Sequence, residues 1–164
     1  MENAGGRTRI LFVCLGNVCR SPAAEAVTRE IAARRGLALA LDSAGTAGWH
    51  AGKPPYGPMR EAARRSGITM DDLRARQFDP ADFSRFDLIC AMDGENAADI
   101  EALRPPGNET PLHLLTDFLP ADSPHAGADH VPDPYYTRDF EGCLDLIEAA
   151  AEGLVADLSA RHGR

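Results

Sequence analysis

The sequence predicts an α/β protein in which helices cover both faces of a parallel sheet. Two observations lead to this prediction. Short apolar runs, typical of buried strands, alternate along the chain with segments whose apolar residues recur at helical spacing. Glycine and proline mark the ends of these segments. Because strand-helix alternation connects each strand to the next through a helix, the strands are expected to lie parallel.

Two strands and two helices are expected in the first half of the chain. The continuous apolar run at 10–13 predicts a buried first strand. The apolar stripe at 22–35 predicts a helix that ends at Gly36. Apolar residues at 37–41 predict the second strand, and the segment 59–66, which follows a proline and precedes a glycine, predicts the second helix.

The second half repeats the alternation. The run at 86–92 predicts a third buried strand, followed by a helix at 95–103 that a Pro-Pro-Gly sequence ends. A short fourth strand is expected at 111–115. The last helix is expected at 139–160, where apolar residues mark one face.

The loops that follow the four strands are predicted to form one pocket. They comprise the segment 14–20, a turn at 42–46 that leads into a Gly- and Pro-rich loop at 45–58, the Asp93-Gly94 pair, and a Pro- and Asp-rich loop at 116–138. Ligands of parallel α/β sheets bind beyond the carboxyl ends of the strands, which lie at one edge. Long loops in compact proteins are commonly functional.

Length and charge limit the classes of function. The chain has 164 residues, 44% hydrophobic and 26% charged, which predicts a single domain over 1–164 with residues 1–7 flexible. Its formal net charge of −8 argues against nucleic acid and anionic membranes as partners. We expect neither a signal peptide nor a membrane span, because the N-terminal apolar run is short.

The loop after the first strand has the pattern of a phosphate-binding loop. Ser21-Pro22, with Glu25 close behind, is typical of a helix start, with a hydroxyl cap and an acid in the first turn. Unpaired N–H groups and the helix dipole favour an anion there, whether phosphate or thiolate. Cys14 is therefore the expected nucleophile, and Arg20 is expected to bind two phosphate oxygens through its planar fork. The loop reads Cys14-Leu15-Gly16-Asn17-Val18-Cys19-Arg20-Ser21, in which the glycine and asparagine tolerate positive φ.

When a thiolate attacks a phosphoester, the oxygen that leaves needs a proton. The donor of this proton is expected in the last long loop. Asp133 is the first candidate, because Pro134 stiffens its segment and two tyrosines follow. Asp129 and Asp139 are competing acids. An ordinary Asp-Pro turn is the alternative interpretation of this segment.

Three aromatic residues on the expected rim are candidates for the wall of a slot that accepts an aromatic ring. They are Trp49, Tyr135 and Tyr136. For Trp49 the alternative is a place at the edge of the hydrophobic core.

The cysteines and histidines show no metal-binding spacing, so no metal or other cofactor is expected. The absence of a Cys-x-x-Cys pair and of a dense cysteine framework favours reduced thiols in a cytoplasmic protein. The four cysteines are Cys14, Cys19, Cys90 and Cys143.

Across nearly its whole length the chain resembles the low-molecular-weight protein tyrosine phosphatases. Five motifs match in the family's order, namely the signature at 13–26, Asp-Ser-Ala-Gly-Thr at 42–46, Gly-Trp-His at 48–50, Ala-Met-Asp at 91–93 and Asp-Pro-Tyr-Tyr at 133–136. The resemblance implies a three-layer α/β/α fold with a four-stranded, twisted parallel sheet and the phosphate-binding loop between the first strand and the first helix. It also implies that no metal is used. We expect a monomer.

The resemblance further implies hydrolysis of phosphotyrosine proteins and small aryl phosphates, with acid phosphatase activity and with phosphate or other oxyanions as ligands. Cys14 would form a cysteinyl-phosphate, Arg20 would bind the phosphate, and Asp133 would act as general acid and then general base. The implied supporting roles are thiolate stabilisation by Ser21, a loop-shaping bond from Asn17 to Ser43, oxidative pairing of Cys19 with the nucleophile, and ring contacts from Leu15.

Three alternatives remain open. Arsenate reductases share the fold and the loop but need two further cysteines close together, and Cys90 has no such neighbour while Cys143 is distant in sequence. Protein-arginine phosphatases of the family carry threonine at the position of Val18, so valine favours phosphotyrosine. A silent phosphate-binding module is the third alternative, against which the complete set of Cys14, Arg20 and Asp133 argues.

Overall fold

The structure is a computed structural model that describes residues 7–162, without the side chain of the last one. The predicted flexible segment 1–7 therefore lies, except for Arg7, outside the described residues. The strands are β1 (Thr8–Cys14), β2 (Leu39–Gly45), β3 (Leu88–Ala91) and β4 (Leu112–Leu114). The helices are α1 (Arg20–Arg34), α2 (Gly57–Arg65), α3 (Asp82–Arg85), α4 (Gly94–Glu101), α5 (Pro134–Thr137) and α6 (Phe140–His162), and a 3₁₀ helix spans Leu115–Phe118.

The four strands form one parallel sheet in the order β2-β1-β3-β4. Strand β1 lies inside the sheet and pairs with both β2 and β3. It is buried on both faces because Ile10 and Phe12 point into one core cluster while Leu11 and Val13 point into the other. The predicted four-stranded, three-layer α/β/α fold is confirmed.

Helices cover both faces of the sheet. The larger core lies between the sheet and α1, α2 and α6, where Ile31, Met59 and Ile147 are fully or almost fully buried. The smaller core lies on the other face, where Phe83 of α3 and Ile100 of α4 pack against β1 and β3. Within residues 7–162, no helix combines the length and the apolar character that crossing a membrane requires.

Strand β2 extends beyond its predicted end. Residues 42–45 were expected to form a turn, but they continue the strand as far as Gly45, which pairs with Cys14 of β1. The backbone bonds to β1 outweigh the turn preference of an Asp-Ser-Ala-Gly sequence. The C-terminal end of β2 therefore lies beside the start of the phosphate-binding loop.

The predicted start of α1 was wrong in detail. The helix begins at Arg20, its N-cap residue Cys19 makes no capping side-chain bond, and no acid lies in its first turn. Ser21 therefore lies inside the helix, and its hydroxyl is directed to other partners. Glu25 is buried in the next turn and is not a solvent-exposed first-turn acid.

The last long loop is shorter than predicted. Residues 116–138 contain most of the 3₁₀ helix and all of α5. Gly153 of α6 allows the 3₁₀ segment to pack closely, because a Cβ at this position would lie 1.8 Å from the carbonyl oxygen of Phe118. The segment between α2 and α3, to which the sequence pattern assigned no element, is anchored by a bridge from Gln77 to Gly45.

Candidate active site

The loop from β1 to α1 surrounds the sulfur of Cys14 with polar groups. Cys14 is the last residue of β1 and is 3% exposed. The backbone N–H of Asn17 donates to its Sγ over 3.2 Å. The hydroxyl of Ser21 lies 3.0 Å from the same sulfur and also 3.3 Å from the carbonyl oxygen of Ala44. Donors directed at the sulfur stabilise a thiolate in preference to a neutral thiol.

Asn17 holds the shape of this loop. Its φ of 57° is one of two positive values among the described non-glycine residues, whereas Gly16 has no positive φ. The side-chain amide donates to Ser21 Oγ over 2.8 Å and to Ser43 Oγ over 3.0 Å. Its oxygen accepts the backbone N–H of Arg76 over 2.9 Å. One side chain thus ties the loop to β2 and to the segment before α3.

Gly45 is required by the close approach of two backbones. A Cβ at this position would lie 2.7 Å from the carbonyl oxygen of Leu15 and 3.0 Å from the backbone nitrogen of Asn17. Such distances are shorter than side-chain carbon contacts allow, so any other residue would push the loop away. The sequence offered only an Asp-Ser-Ala-Gly turn as a signal for this contact.

Arg20 is a buried cation held by acids from two other loops. Its side chain is 3% exposed, and Nη1 donates to Asp93 Oδ2 over 2.7 Å and to the carbonyl oxygen of Val131 over 2.9 Å. Its Nη2 lies 3.5 Å from Asp133 Oδ2. Burial lowers the pKa of Arg20, but the Cys14 sulfur and the two aspartates outweigh burial and raise it above its ordinary value. The guanidinium therefore remains charged in the interior.

Asp93, the last residue of the Ala-Met-Asp motif, connects the Arg20 side chain to helix α4. One oxygen of its carboxylate caps α4 by accepting the N–H of Asn96, and the other oxygen accepts from Arg20. The geometry makes it the anchor that fixes the Arg20 side chain. A strand followed by Asp-Gly was the available signal for this position.

Asp133 lies at the N-terminus of the short helix α5. Its carboxylate accepts the backbone N–H of Tyr135 over 3.0 Å, and about a quarter of its side chain is exposed. The competing acids lie outside the pocket. Asp129 pairs with His130, and Asp139 accepts the N–H of Gly142 at the start of α6.

Aromatic side chains stand at the mouth of the pocket. Trp49 is 71% exposed, so it does not fill a gap in the core, and Tyr136 is 73% exposed. Tyr135 packs against Tyr136 with ring centroids 5.5 Å apart. The pocket is lined by Cys14, Leu15, Gly16, Val18, Cys19, Arg20, Trp49, His50, Asp133, Tyr135 and Tyr136. The structure thus brings together the predicted nucleophile, cation, acid and aromatic wall.

The segment that bears Asp133 is braced by residues that the sequence analysis did not identify. Tyr56 packs against Tyr135 with ring centroids 5.2 Å apart. Arg138 ends α5 with a φ of 63°, lies over the Tyr56 ring and donates to its hydroxyl over 3.2 Å. His50 of the Gly-Trp-His motif covers Gly16, where a Cβ would lie 3.1 Å from the imidazole.

The remaining thiols differ chemically from a reactive cysteine. Burial raises the pKa of Cys19 far above its ordinary value, and burial raises that of Cys143 to about 12. All four cysteines are free. In the part of the chain that the structure describes, no group of three or more His, Cys, Asp or Glu side chains is arranged to hold a metal ion.

Comparisons with known proteins agree with this geometry. Residues 9–163 match the family model for low molecular weight phosphotyrosine protein phosphatase. The chain is 44% identical over 151 residues to the low molecular weight protein-tyrosine-phosphatase YfkJ of Bacillus subtilis, covering 91% of this chain and 94% of the relative. It is 44% identical over 154 residues to a Streptomyces coelicolor relative with the same description, covering 90% and 92%.

Solved structures of similar proteins share this fold. The crystal structure of YfkJ superposes with a TM-score of 0.87 at 41% identity, covering 97% of this chain and 99% of that one. A Drosophila arginine phosphatase superposes with a TM-score of 0.81 at 28% identity, covering 91% and 96%. The chain therefore belongs to the low molecular weight protein-tyrosine phosphatases, a family of phosphoprotein-hydrolysing enzymes.

Proposed function

We propose that this enzyme hydrolyses phosphotyrosine in proteins through a phosphate ester of Cys14. The observation that carries the proposal is the convergence of Cys14, Arg20 and Asp133 on one pocket whose mouth is aromatic. Hydrolysis of this kind needs a nucleophile, a cation for the transferred phosphoryl group and a proton donor for the leaving oxygen. Each of the three side chains supplies one of these.

In the first step the Cys14 thiolate attacks phosphorus and the bond to the tyrosine oxygen breaks. A protonated Asp133 gives its proton to that oxygen, so the tyrosine side chain of the substrate protein leaves as a neutral phenol. Arg20 uses one amino group for Asp93 and Val131, which leaves its Nε–Nη2 edge for two phosphate oxygens. An incoming phosphate would replace Asp133 as the partner of Nη2, because the two compete for one donor.

In the second step water attacks the phosphorus of the cysteinyl-phosphate. The Asp133 carboxylate accepts a proton from this water, the sulfur–phosphorus bond breaks, and the electron pair returns to Cys14 as a thiolate. Inorganic phosphate leaves and the starting protonation states are restored. The thiolate is stabilised by Ser21 and by the Asn17 N–H, whose distances to the sulfur support this role. A cytoplasmic setting, where thiols remain reduced, suits this chemistry.

Phosphotyrosine is favoured over phosphoarginine by the lining of the pocket. Val18 lines the pocket with an aliphatic side chain, which offers no hydrogen bond to a substrate guanidinium. Trp49, Tyr135 and Tyr136 offer apolar ring faces against which a phenyl ring packs favourably. We expect turnover of a phosphotyrosine peptide to exceed that of a matched phosphoarginine peptide, and the reverse order would contradict the substrate assignment.

The Cys14→Ser variant tests the nucleophile. We expect no measurable turnover of phosphotyrosine peptide, together with retained binding of vanadate or phosphate, because the loop amides and Arg20 are unchanged. Acid quenching of the natural enzyme during turnover should trap phosphate on the Cys14 peptide, detected by mass spectrometry. The Cys143→Ala variant is the matched control, since this thiol is buried in the core. Turnover by the Cys14→Ser variant would refute the assignment.

Two assays separate this function from the alternatives. An arsenate reductase would couple arsenate reduction to oxidation of thioredoxin, and we expect no such coupling. A silent binding module would leave para-nitrophenyl phosphate unchanged, whereas the proposed phosphatase hydrolyses it.

Oxidation with hydrogen peroxide should give a reversible Cys14–Cys19 disulfide, because both thiols line the same pocket.

A further inference from the structure

Glu25 is a buried carboxyl group for which the proposed reaction has no use. It lies in α1, is 8% exposed, and accepts a hydrogen bond from Ser43 Oγ over 2.8 Å. It does not line the substrate pocket. A polar group buried at this depth is stable only when it has partners, so its interaction with Ser43 connects α1 to β2.

The bond to Glu25 fixes the direction of a chain of hydrogen bonds. Ser43 has one hydroxyl proton, and because Glu25 accepts it, Ser43 can only accept from Asn17. The Asn17 oxygen accepts from the backbone of Arg76, so its amide nitrogen must face Ser43 and Ser21. The Ser43 hydroxyl and the Asn17 amide therefore each donate in a fixed direction.

The direction of these hydrogen bonds matters at the end of the series that lies next to Cys14. Asn17 occupies an acceptor site of the Ser21 oxygen, while the Ser21 proton can be given either to the Cys14 sulfur or to the carbonyl oxygen of Ala44. A neutral thiol can be a donor, but a thiolate can only accept. Formation of the thiolate thus requires Ser21 to donate to it, and donation from Asn17 to Ser21 strengthens that bond.

We infer that Glu25 is a positioning residue for the nucleophile: by accepting the Ser43 proton it keeps the Ser43 oxygen as an acceptor for Asn17, and through Asn17, whose amide the Arg76 N–H orients, it helps to hold Ser21 as a donor to the Cys14 thiolate. This role rests on the proposed function only in naming Cys14 as the reactive thiol. Without the Glu25 acceptor, the Ser43 hydroxyl is free to rotate and to donate elsewhere, and its oxygen is no longer held in place as an acceptor for Asn17.

The surroundings of Glu25 are compatible with this role across the working pH range. The pKa of Glu25 is raised to about 7, and burial is the largest cause. Smaller effects come from the Ser43 hydrogen bond and from Arg29, which lower the pKa, and from Asp42 and Asp72, which raise it. Above about pH 7 the carboxylate can only accept, so the direction of the Ser43 bond is enforced there; below that pH the protonated group keeps one oxygen that can accept the same proton. The link to Ser43 therefore persists on both sides of neutrality.

Alkylation of Cys14 by iodoacetate, measured as a function of pH, tests the inference without using phosphatase activity. The Glu25→Ala variant should be alkylated about threefold to tenfold more slowly on the acid side of the profile, the effect of one weakened hydrogen bond to the thiolate. The Glu25→Gln variant keeps an acceptor for Ser43 and should react as the natural protein does. Glu30→Ala, on the exposed side of the same helix, is the matched control and should change nothing.

Further measurements separate positioning from folding. If Glu25→Ala does not fold, as judged by circular dichroism, Glu25→Met fills the same space without an acceptor and should show the same slower alkylation. In the Ser43→Ala background, Glu25→Ala should have no further effect on alkylation, because the link is already cut. A folded Ala or Met variant with an unchanged profile, a Gln variant that is equally slow, or additive effects would each overturn the inference. Normal alkylation profiles in an enzyme that fails to hydrolyse phosphotyrosine would instead refute the proposed function.

Discussion

Replacing Glu25 by Gln should stabilise the folded protein above neutral pH and leave its stability unchanged at acid pH. Burial holds the pKa of Glu25 at about 7 in the folded state, against an ordinary value of 4.5 that applies to the unfolded chain. Between these two values the folded protein keeps the proton while the unfolded chain has lost it. Folding therefore becomes less favourable as the pH rises through this window.

The size of the effect follows from the two pKa values. Each pKa unit corresponds to about 1.36 kcal/mol, so a rise from 4.5 to about 7 makes the ionised carboxylate about 3 kcal/mol destabilising. The penalty is absent below about pH 4.5, grows as the pH rises, and is complete above about pH 7. Glutamine has no charge to bury and keeps the oxygen that accepts from Ser43, so it removes the penalty without removing the hydrogen bond.

Urea unfolding at several pH values measures this difference. The Glu25→Gln variant should exceed the natural protein in free energy of unfolding by about 3 kcal/mol at about pH 8 and match it at about pH 4. Glu30→Gln is the control, because this exposed glutamate of the same helix does not lose its hydration on folding. A stability difference that does not vary with pH, or a Gln variant less stable than the natural protein above neutrality, would refute the reasoning.

Two further predictions concern the acid and the packing of α6. Asp133→Ala should slow the hydrolysis of phosphate esters with poor leaving groups by about 10²-fold or more, and that of activated aryl esters far less, in steady-state kinetics. Asp129→Ala is the control, and equal slowing of both ester classes would identify another residue as the acid. Gly153→Ala should destabilise the protein by about 1–3 kcal/mol in urea unfolding, because its Cβ would meet the Phe118 carbonyl 1.8 Å away. Gly94→Ala, whose Cβ would meet nothing within 4 Å, should not destabilise the protein. An equal loss of stability in the two variants would contradict the packing argument.

The order and type of the main elements were predictable because each has a local cause. The strand at 10–13 is a continuous apolar run, and the helix at 22–35 has a repeating apolar stripe and a glycine at its end. Local causes failed at 42–45, where pairing with β1 turned a predicted turn into strand. They failed again at Ser21, whose hydroxyl is directed to the Cys14 sulfur and not to a helix cap.

The part of the site that lies within one loop follows from the order of residues along the chain. Cys14 and Arg20 are separated by five residues between a strand and a helix, so the spacing alone brings the sulfur and the guanidinium to the same place. Asp133, Tyr135 and Tyr136 could be predicted because their segment follows the last strand, and Trp49 because its loop follows the second; both strands end at the same edge of the sheet. These features depend on spacing and on strand order, which are read from the chain.

The partners that hold these groups in place become known from the packing of distant elements. Asp93, 73 residues from Arg20, and the Val131 carbonyl, 111 residues away, fix the guanidinium, and no local pattern relates them. Glu25 meets Ser43 because α1 packs beside β2, and the register of β2 against β1 sets Ser43 beside the loop. A hydrogen bond depends on placement to a fraction of an ångström, which arises from packing between elements distant in sequence.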